Sequence, residues 1–194
     1  MLSEPDDAQI TSWALAAAAG DRAAAAAFIR ATQQVVIRFL AHLVDPGDAE
    51  DLAQETYLRA MQALPRFVGR SSAKTWLLAI ARRVAADHVR ALVRRPRVAG
   101  QDWEAAVETA QVSAGSSVED GVVLRQLLLD LPAERREAFV ATQVAGLSYA
   151  EAAEVCDCPI GTIRSRVARA REDLVAALEA QGASAVAHGR PAER

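Results

Sequence analysis

The run Leu147–Arg171, LSYAEAAEVCDCPIGTIRSRVARAR, constrains the fold more than any other stretch, because it specifies two helices joined by a tight polar turn. Ser148 suits a helix cap, and Glu151 three residues on returns the bond in a capping box. That helix is predicted to end near Val155, with the turn Cys156-Asp157-Cys158 after it and Pro159 supplying the fixed φ that suits the next helix's first turn. On the second helix Ile163, Val167, Ala170 and Leu174 recur at 3.6-residue spacing and are expected to face a core, which turns Arg164, Ser165, Ala168 and Arg169 outward.

An outward face of this kind is suited to a DNA groove. Arginine holds guanine bidentately, and serine or alanine permits close approach to a base edge or a thymine methyl. Arg166 and Arg171 flank the stripe and suit phosphates. A four-arginine helix can also be a solvated surface. Capping box, turn, proline and arginine stripe in register favour DNA over that reading. Cys156 and Cys158 lie within one turn with no histidine near, so they read as turn or packing residues rather than zinc ligands, and no metal site or cofactor is expected.

The 194 residues leave room for two small domains, and a 52% hydrophobic content with few aromatics and many alanines favours an all-α fold. A net charge of −3 taken alone argues against nucleic acid, but the charge is segregated. Between Arg66 and Arg97 eight arginines and Lys74 stand against Asp87 alone, whereas Val98 to Leu124 carries Asp102, Glu104, Glu108, Glu119 and Asp120 with no basic residue. The start is acidic at Glu4, Asp6 and Asp7, unlike a secretory signal, and the alanine-rich run after Trp13 is broken by Asp21 and Arg22. The expectation is a cytoplasmic protein without membrane insertion, and two cysteines impose no disulfide framework.

Helical periodicity runs from about Gln9 to Ala19, resumes after Gly20-Asp21 to about Leu43, breaks at Asp45-Pro46-Gly47, and returns over Ala49–Leu64 and Ala73–Val93. The expected organisation is a helical domain over 1–97, a flexible acidic linker over 98–117 in which Trp103 and Val107 could pack, a second helical domain over 118–180 and a disordered tail over 181–194. In the second domain Leu124, Leu127, Leu128 and Leu131 form an apolar stripe, and Pro132 opens a helix ending by Gly146.

On the Ala49–Leu64 helix, Ala53, Tyr57, Ala60, Met61 and Leu64 should pack inward, leaving Asp48, Asp51, Glu55 and Arg59 opposite, with Leu52 among the charges. Leu52 is either an apolar anchor for a partner or a harmless exposed leucine, and helix geometry does not decide. The next helix should bury Trp76, Leu77, Ile80, Ala81, Val84 and Ala91 and line its other side with Arg82, Arg83, Ala86 and Arg90, a surface open to phosphates and extended by Arg94-Arg95-Pro96-Arg97. Trp76 could stack on an unpaired base, although packing is the better reading because it borders the apolar face.

Four motifs, DAEDLAQETYLRA at Asp48–Ala60, SSAKTWLLAIARRVAADHVR at Ser71–Arg90, LPAERREAF at Leu131–Phe139 and the run Gly146–Arg171, make the chain resemble extracytoplasmic-function sigma factors of the sigma-70 family, from about Phe28 to Leu178. The resemblance implies a sigma region 2-like domain, a sigma region 4-like helix-turn-helix domain, and promoter-specific transcription initiation with core RNA polymerase. It assigns Asp51, Leu52, Gln54 and Glu55 to the clamp helices of the largest polymerase subunit, and adds the flap as a second docking point. It assigns Gly69, Arg70, Ser71, Ser72, Ala73, Lys74, Arg82, Arg83 and Arg90 to the melted, single-stranded minus-ten element. Arg164, Ser165, Arg166, Ala168, Arg169 and Arg171 fall to the double-stranded minus-thirty-five element. It implies a linker that threads polymerase channels, and admits an anti-sigma factor as partner. Many members carry asparagine where Arg83 stands, which removes any amide-specific contact there.

Two other functions would use a helix-turn-helix of this kind. A helix-turn-helix regulator of the response-regulator type would leave the acidic stripe with Leu52 and the basic helix without purpose. A DNA-processing enzyme would need converging acids, whereas Asp48, Asp51 and Glu55 share one stripe and His42, His88 and His188 are scattered. Catalysis is therefore not expected of this chain.

Overall fold

Aspartates start the first three helices. In the computed structural model, which describes residues 5–94 and 118–188 (backbone alone for 118–123 and 181–188), α1 (Asp7–Ala18), α2 (Arg22–Ala41) and α3 (Pro46–Ala63) are capped by Asp6, Asp21 and Asp45. Their carboxylates accept from Gln9 N–H at 2.7 Å, from Ala23 and Ala24 N–H at 2.8 and 3.0 Å, and from Gly47 N–H at 2.9 Å. Such a cap stabilises a helix by about 1 kcal/mol. Asp45-Pro46-Gly47, expected as a break, is instead the beginning of α3: proline at the first helical position loses no hydrogen bond, so the helix starts three residues before Ala49.

A 3-10 turn, Leu64–Arg66, and a short loop lead to α4 (Ala73–Arg94). Phe28, Val36, Phe39 and Leu40 of α2 meet Ala53 and Ala60 of α3 and Leu77, Leu78 and Ala81 of α4 in the core. The small residues let the helices approach closely. Thr32 is buried but satisfied, donating to the Phe28 carbonyl at 2.8 Å and meeting the Tyr57 hydroxyl at 2.8 Å. Burial pushes the Tyr57 hydroxyl up to about 12 against the opposing effect of Thr32. Ala91, expected inward, is exposed because α4 outruns the elements that cover it.

The second lobe comprises α5 (Val118–Asp130), α6 (Ala133–Phe139), a π-helical turn at Val140–Val144, α7 (Tyr149–Cys156) and α8 (Ile160–His188). Leu127, Leu128 and Leu131 of the expected stripe are buried against Ala170 and Leu174, whereas Leu124 is exposed. α8 runs past Gln181 to His188. The linker expected over 98–117, with Trp103 and Val107, lies outside the described residues, as do 95–97 and 189–194.

The two lobes pack on each other. α7 lies against α4, the π-helical turn reaches α2, and one buried cluster runs from Ile10 through Ala85 to Ile163 and Val167. Across this contact the Thr75 hydroxyl donates to Glu151 Oε1 at 3.2 Å, and Arg82 Nε donates to Glu137 Oε2 at 2.7 Å. The described residues are helical with no strand, an all-α fold.

Candidate nucleic-acid and polymerase interfaces

The helix-turn-helix is built as its local chemistry dictates. The Ser148 hydroxyl accepts from Glu151 N–H at 3.2 Å while Glu151 Oε2 accepts from Ser148 N–H at 2.9 Å, completing the capping box. The Ser148 hydroxyl also donates to Glu151 Oε2 at 2.7 Å, and this bond foremost holds the Glu151 carboxyl below its ordinary range. α7 ends at Asp157, whose left-handed backbone (φ 51°) turns the chain. Pro159 stands one place before the helix rather than in it, its carbonyl accepting from Thr162 and Ile163 N–H at 2.8 and 3.2 Å. Cys156 is buried, and desolvation pushes its thiol up to about 12, which suits a packing residue.

On α8, Ile163, Val167, Ala170 and Leu174 are buried and Arg164, Ser165, Ala168 and Arg169 are exposed along one face. Arg166 departs from the expected phosphate-facing position. It turns back to an ion pair with Glu134 and reaches Cys158 Sγ at 3.5 Å, leaving its side chain 19% exposed. Arg171 donates to Gln143 Oε1 at 3.1 Å.

In the first lobe, the loop before α4 is pinned at its tip and its base. Gly69 takes φ +71°, a conformation that favours glycine, over the Leu15 side chain of α1. Ser72 caps α4 by accepting from Thr75 N–H at 3.1 Å, and Ala73 N–H donates to the Thr11 hydroxyl at 3.0 Å. Arg70 is exposed, Ser71 and Ser72 are half-buried, and Ala73 is buried. Lys74 lies 3.6 Å from Asp7.

Along α4, the expected basic side is divided. Arg83 is exposed, and Arg90 is exposed but paired with Asp87. Arg82 faces the other lobe. Burial would depress its guanidinium, but the hydrogen bond and charge of Glu137 outweigh it and hold the group above its ordinary value. Trp76 packs against Phe67 with the ring centroids 5.0 Å apart and the planes tilted by 41°.

On α3, Asp51 and Gln54 are exposed, and Glu55 is held at 2.7 Å by Arg59, which also bridges to Asp87 of α4 at 2.8 Å. Leu52 is half-buried and packs partly against the core. Leu58 is the more exposed leucine of this helix, at 61%. It stands one and two turns beyond Gln54 and Asp51 on the same face, a spacing that would have revealed it. Among the described residues no group of three or more His, Cys, Asp or Glu is placed to hold a metal, and no helix is long and apolar enough to cross a membrane.

Comparison with known proteins matches both lobes. Residues 28–95 match the family described as Sigma-70 region 2 and residues 122–174 that described as Sigma-70, region 4. The chain is 54% identical over 175 residues to the ECF RNA polymerase sigma factor SigC of Mycobacterium tuberculosis, covering 90% of this chain and 94% of that one. Among solved structures it resembles the sigma factor RpoE of Bartonella quintana, in complex with the anti-sigma factor NepR, at 30% identity and TM-score 0.61 over 78% of this chain and 96% of that one. CnrH, in complex with the cytosolic domain of CnrY, shares the fold with TM-score 0.69 and 24% identity over 90% of this chain and 99% of that one.

Proposed function

Because the chain belongs to the extracytoplasmic-function sigma factors of the sigma-70 family, subunits that direct RNA polymerase to initiate transcription, we propose how its own residues divide that task. The exposed face of α8 enters the major groove of the upstream element, with Arg164 and Arg169 on base edges and Ser165 and Ala168 allowing close approach. The loop Gly69–Ser72 receives an unpaired base of the minus-ten element, and Lys74, Arg83 and Arg90 follow its strand. Asp51, Gln54, Glu55 and Leu58 meet the polymerase clamp. The domains span 1–97 and 118–180, and the protein works in the cytoplasm, supplying no chemistry of its own and leaving bond formation to the polymerase.

The observation that carries this reading is the conjunction of a clean arginine face on α8 with a pinned, glycine-tipped loop at the start of a basic helix, in a chain whose two lobes match the family. The packed lobes add a condition. Arg82 is occupied by Glu137, so the lobes separate before Arg82 joins the strand. An anti-sigma factor, the kind of partner that the Bartonella relative is bound to, is a partner this chain would share.

Run-off transcription with purified core polymerase and a promoter library tests the assignment. Initiation should depend on this chain and enrich two separated elements. Initiation without a fixed upstream element would remove α8 from base reading.

A further inference from the structure

The first helix has no part in the assignments above, and it lies outside the residues that match region 2. Yet it forms half of a cleft of about 610 Å³, lined by Asp7, Thr11, Ser12 and Leu15 on one side and by Gly69–Ser72 on the other. Asp7, Thr11 and Leu15 follow one another at four-residue spacing beside the buried stripe of Ile10 and Ala14, and Ser12 stands next to Thr11 further from that stripe. The cleft remains clear of the second lobe, none of whose residues line it.

The two walls are joined by three contacts. Thr11 ties the walls together, its one O–H donating to the Asp7 carbonyl at 2.7 Å while its oxygen accepts from Ala73 N–H at 3.0 Å. Leu15 supports the tip at Gly69, and Lys74 sits 3.6 Å from Asp7. The Asp7 carboxylate and the Ser12 hydroxyl are left exposed at the cleft. The nearby ammonium offsets the aspartate charge, which lets a phosphate strand pass without net repulsion.

We infer that α1 is the second wall of the base pocket and that Asp7 and Ser12 read the edge of the captured base, selecting one with an exocyclic amine, adenine, cytosine or guanine, against thymine. This rests on the reading that the loop Gly69–Ser72 captures a base. A carboxylate accepts from an exocyclic amine and repels the two carbonyl oxygens of thymine, which has no such amine. Ser12, donor and acceptor together, accommodates the neighbouring ring nitrogen or oxygen.

Holoenzyme reconstituted with wild type, Asp7→Asn, Asp7→Glu, Ser12→Ala or the loop variant Arg70→Ala/Ser71→Ala would initiate from a promoter library randomised over the melted strand. Wild type should disfavour thymine at one position. Asp7→Asn, whose amide also donates, should admit thymine there with about a tenfold loss of discrimination. Asp7→Glu should retain the preference, and the loop variant should disturb the same position. If the α1 variants match wild type at every position while the loop variant does not, the inference fails and the loop reading stands. If the loop variant is also silent, the loop reading fails and takes the inference with it. A uniform fall in initiation with preferences intact would make α1 a support only and would overturn its reading role.

Discussion

Arg82 on α4 and Glu137 on α6 meet across the lobe boundary at 2.7 Å, with side chains only 22% and 15% exposed. A charged hydrogen bond of this kind contributes about 1.5–3 kcal/mol, and removing the acid leaves the guanidinium unpaired in a desolvated site. Glu137→Gln should therefore loosen the lobes and release Arg82. Fluorescence anisotropy of a single-stranded minus-ten oligonucleotide, at one salt concentration, should show severalfold tighter binding by the free variant than by wild type. Equal affinity would mean that the closed lobes do not restrain the strand site.

The same contact shows what local pattern does and does not reveal. The capping box at Ser148 and the two faces of α8 were legible because each depends on residues within a few positions of one another. Arg82 and Glu137 are 55 residues apart, and nothing in the amphipathic pattern of α4 distinguishes an arginine facing DNA from one facing another lobe. Arg166 escapes the pattern of its own helix for the same reason, since its partner Glu134 lies on α6. At Asp45-Pro46-Gly47 the ambiguity is chemical: proline both ends helices and begins them, and only the Asp45 cap decides. The periodicity of one helix leaves Leu52 undecided because it carries no information about how neighbouring helices cover its flank.

Arg166 and Arg169, one turn apart on α8, should behave differently when truncated. Arg169 is exposed on the outward face, so Arg169→Ala should cost about 1–3 kcal/mol at the upstream element and relax base preference there. Arg166→Ala breaks the Glu134 pair and should lower the stability of the second lobe while leaving base preference unchanged. Binding to matched and mismatched upstream duplexes, beside urea unfolding, separates the two. A uniform affinity loss for Arg169→Ala on every sequence would make it a phosphate contact.

Glu151 ties the start of α7 to α4, and its folded carboxyl lies below the ordinary value because Ser148, then Thr75, bind its charged form. A depressed acid stabilises the fold fully above its unfolded value, about 4.3, and that contribution is lost as pH falls through the lower folded value. Glu151→Gln should therefore cost about 1 kcal/mol in urea unfolding at neutral pH, and the gap to wild type should close as the pH is lowered below about 4. A gap independent of pH would show that the capping geometry, not the charge, matters.

Leu52 and Leu58 offer a direct test of where α3 meets the polymerase clamp. Leu52 packs partly against the core, so Leu52→Asp should weaken polymerase binding mainly by destabilising the first lobe, visible as a lowered unfolding midpoint. Leu58 is 61% exposed beside Gln54 and Asp51, so Leu58→Asp should leave the unfolding midpoint almost unchanged. An apolar anchor at the centre of an interface typically contributes about 2 kcal/mol or more, so Leu58→Asp should reduce core polymerase affinity by at least tenfold. Measuring both variants by competition with wild type for core enzyme, alongside thermal unfolding, distinguishes a lost contact from a lost fold. Full affinity in Leu58→Asp would move the clamp contact off this face of α3.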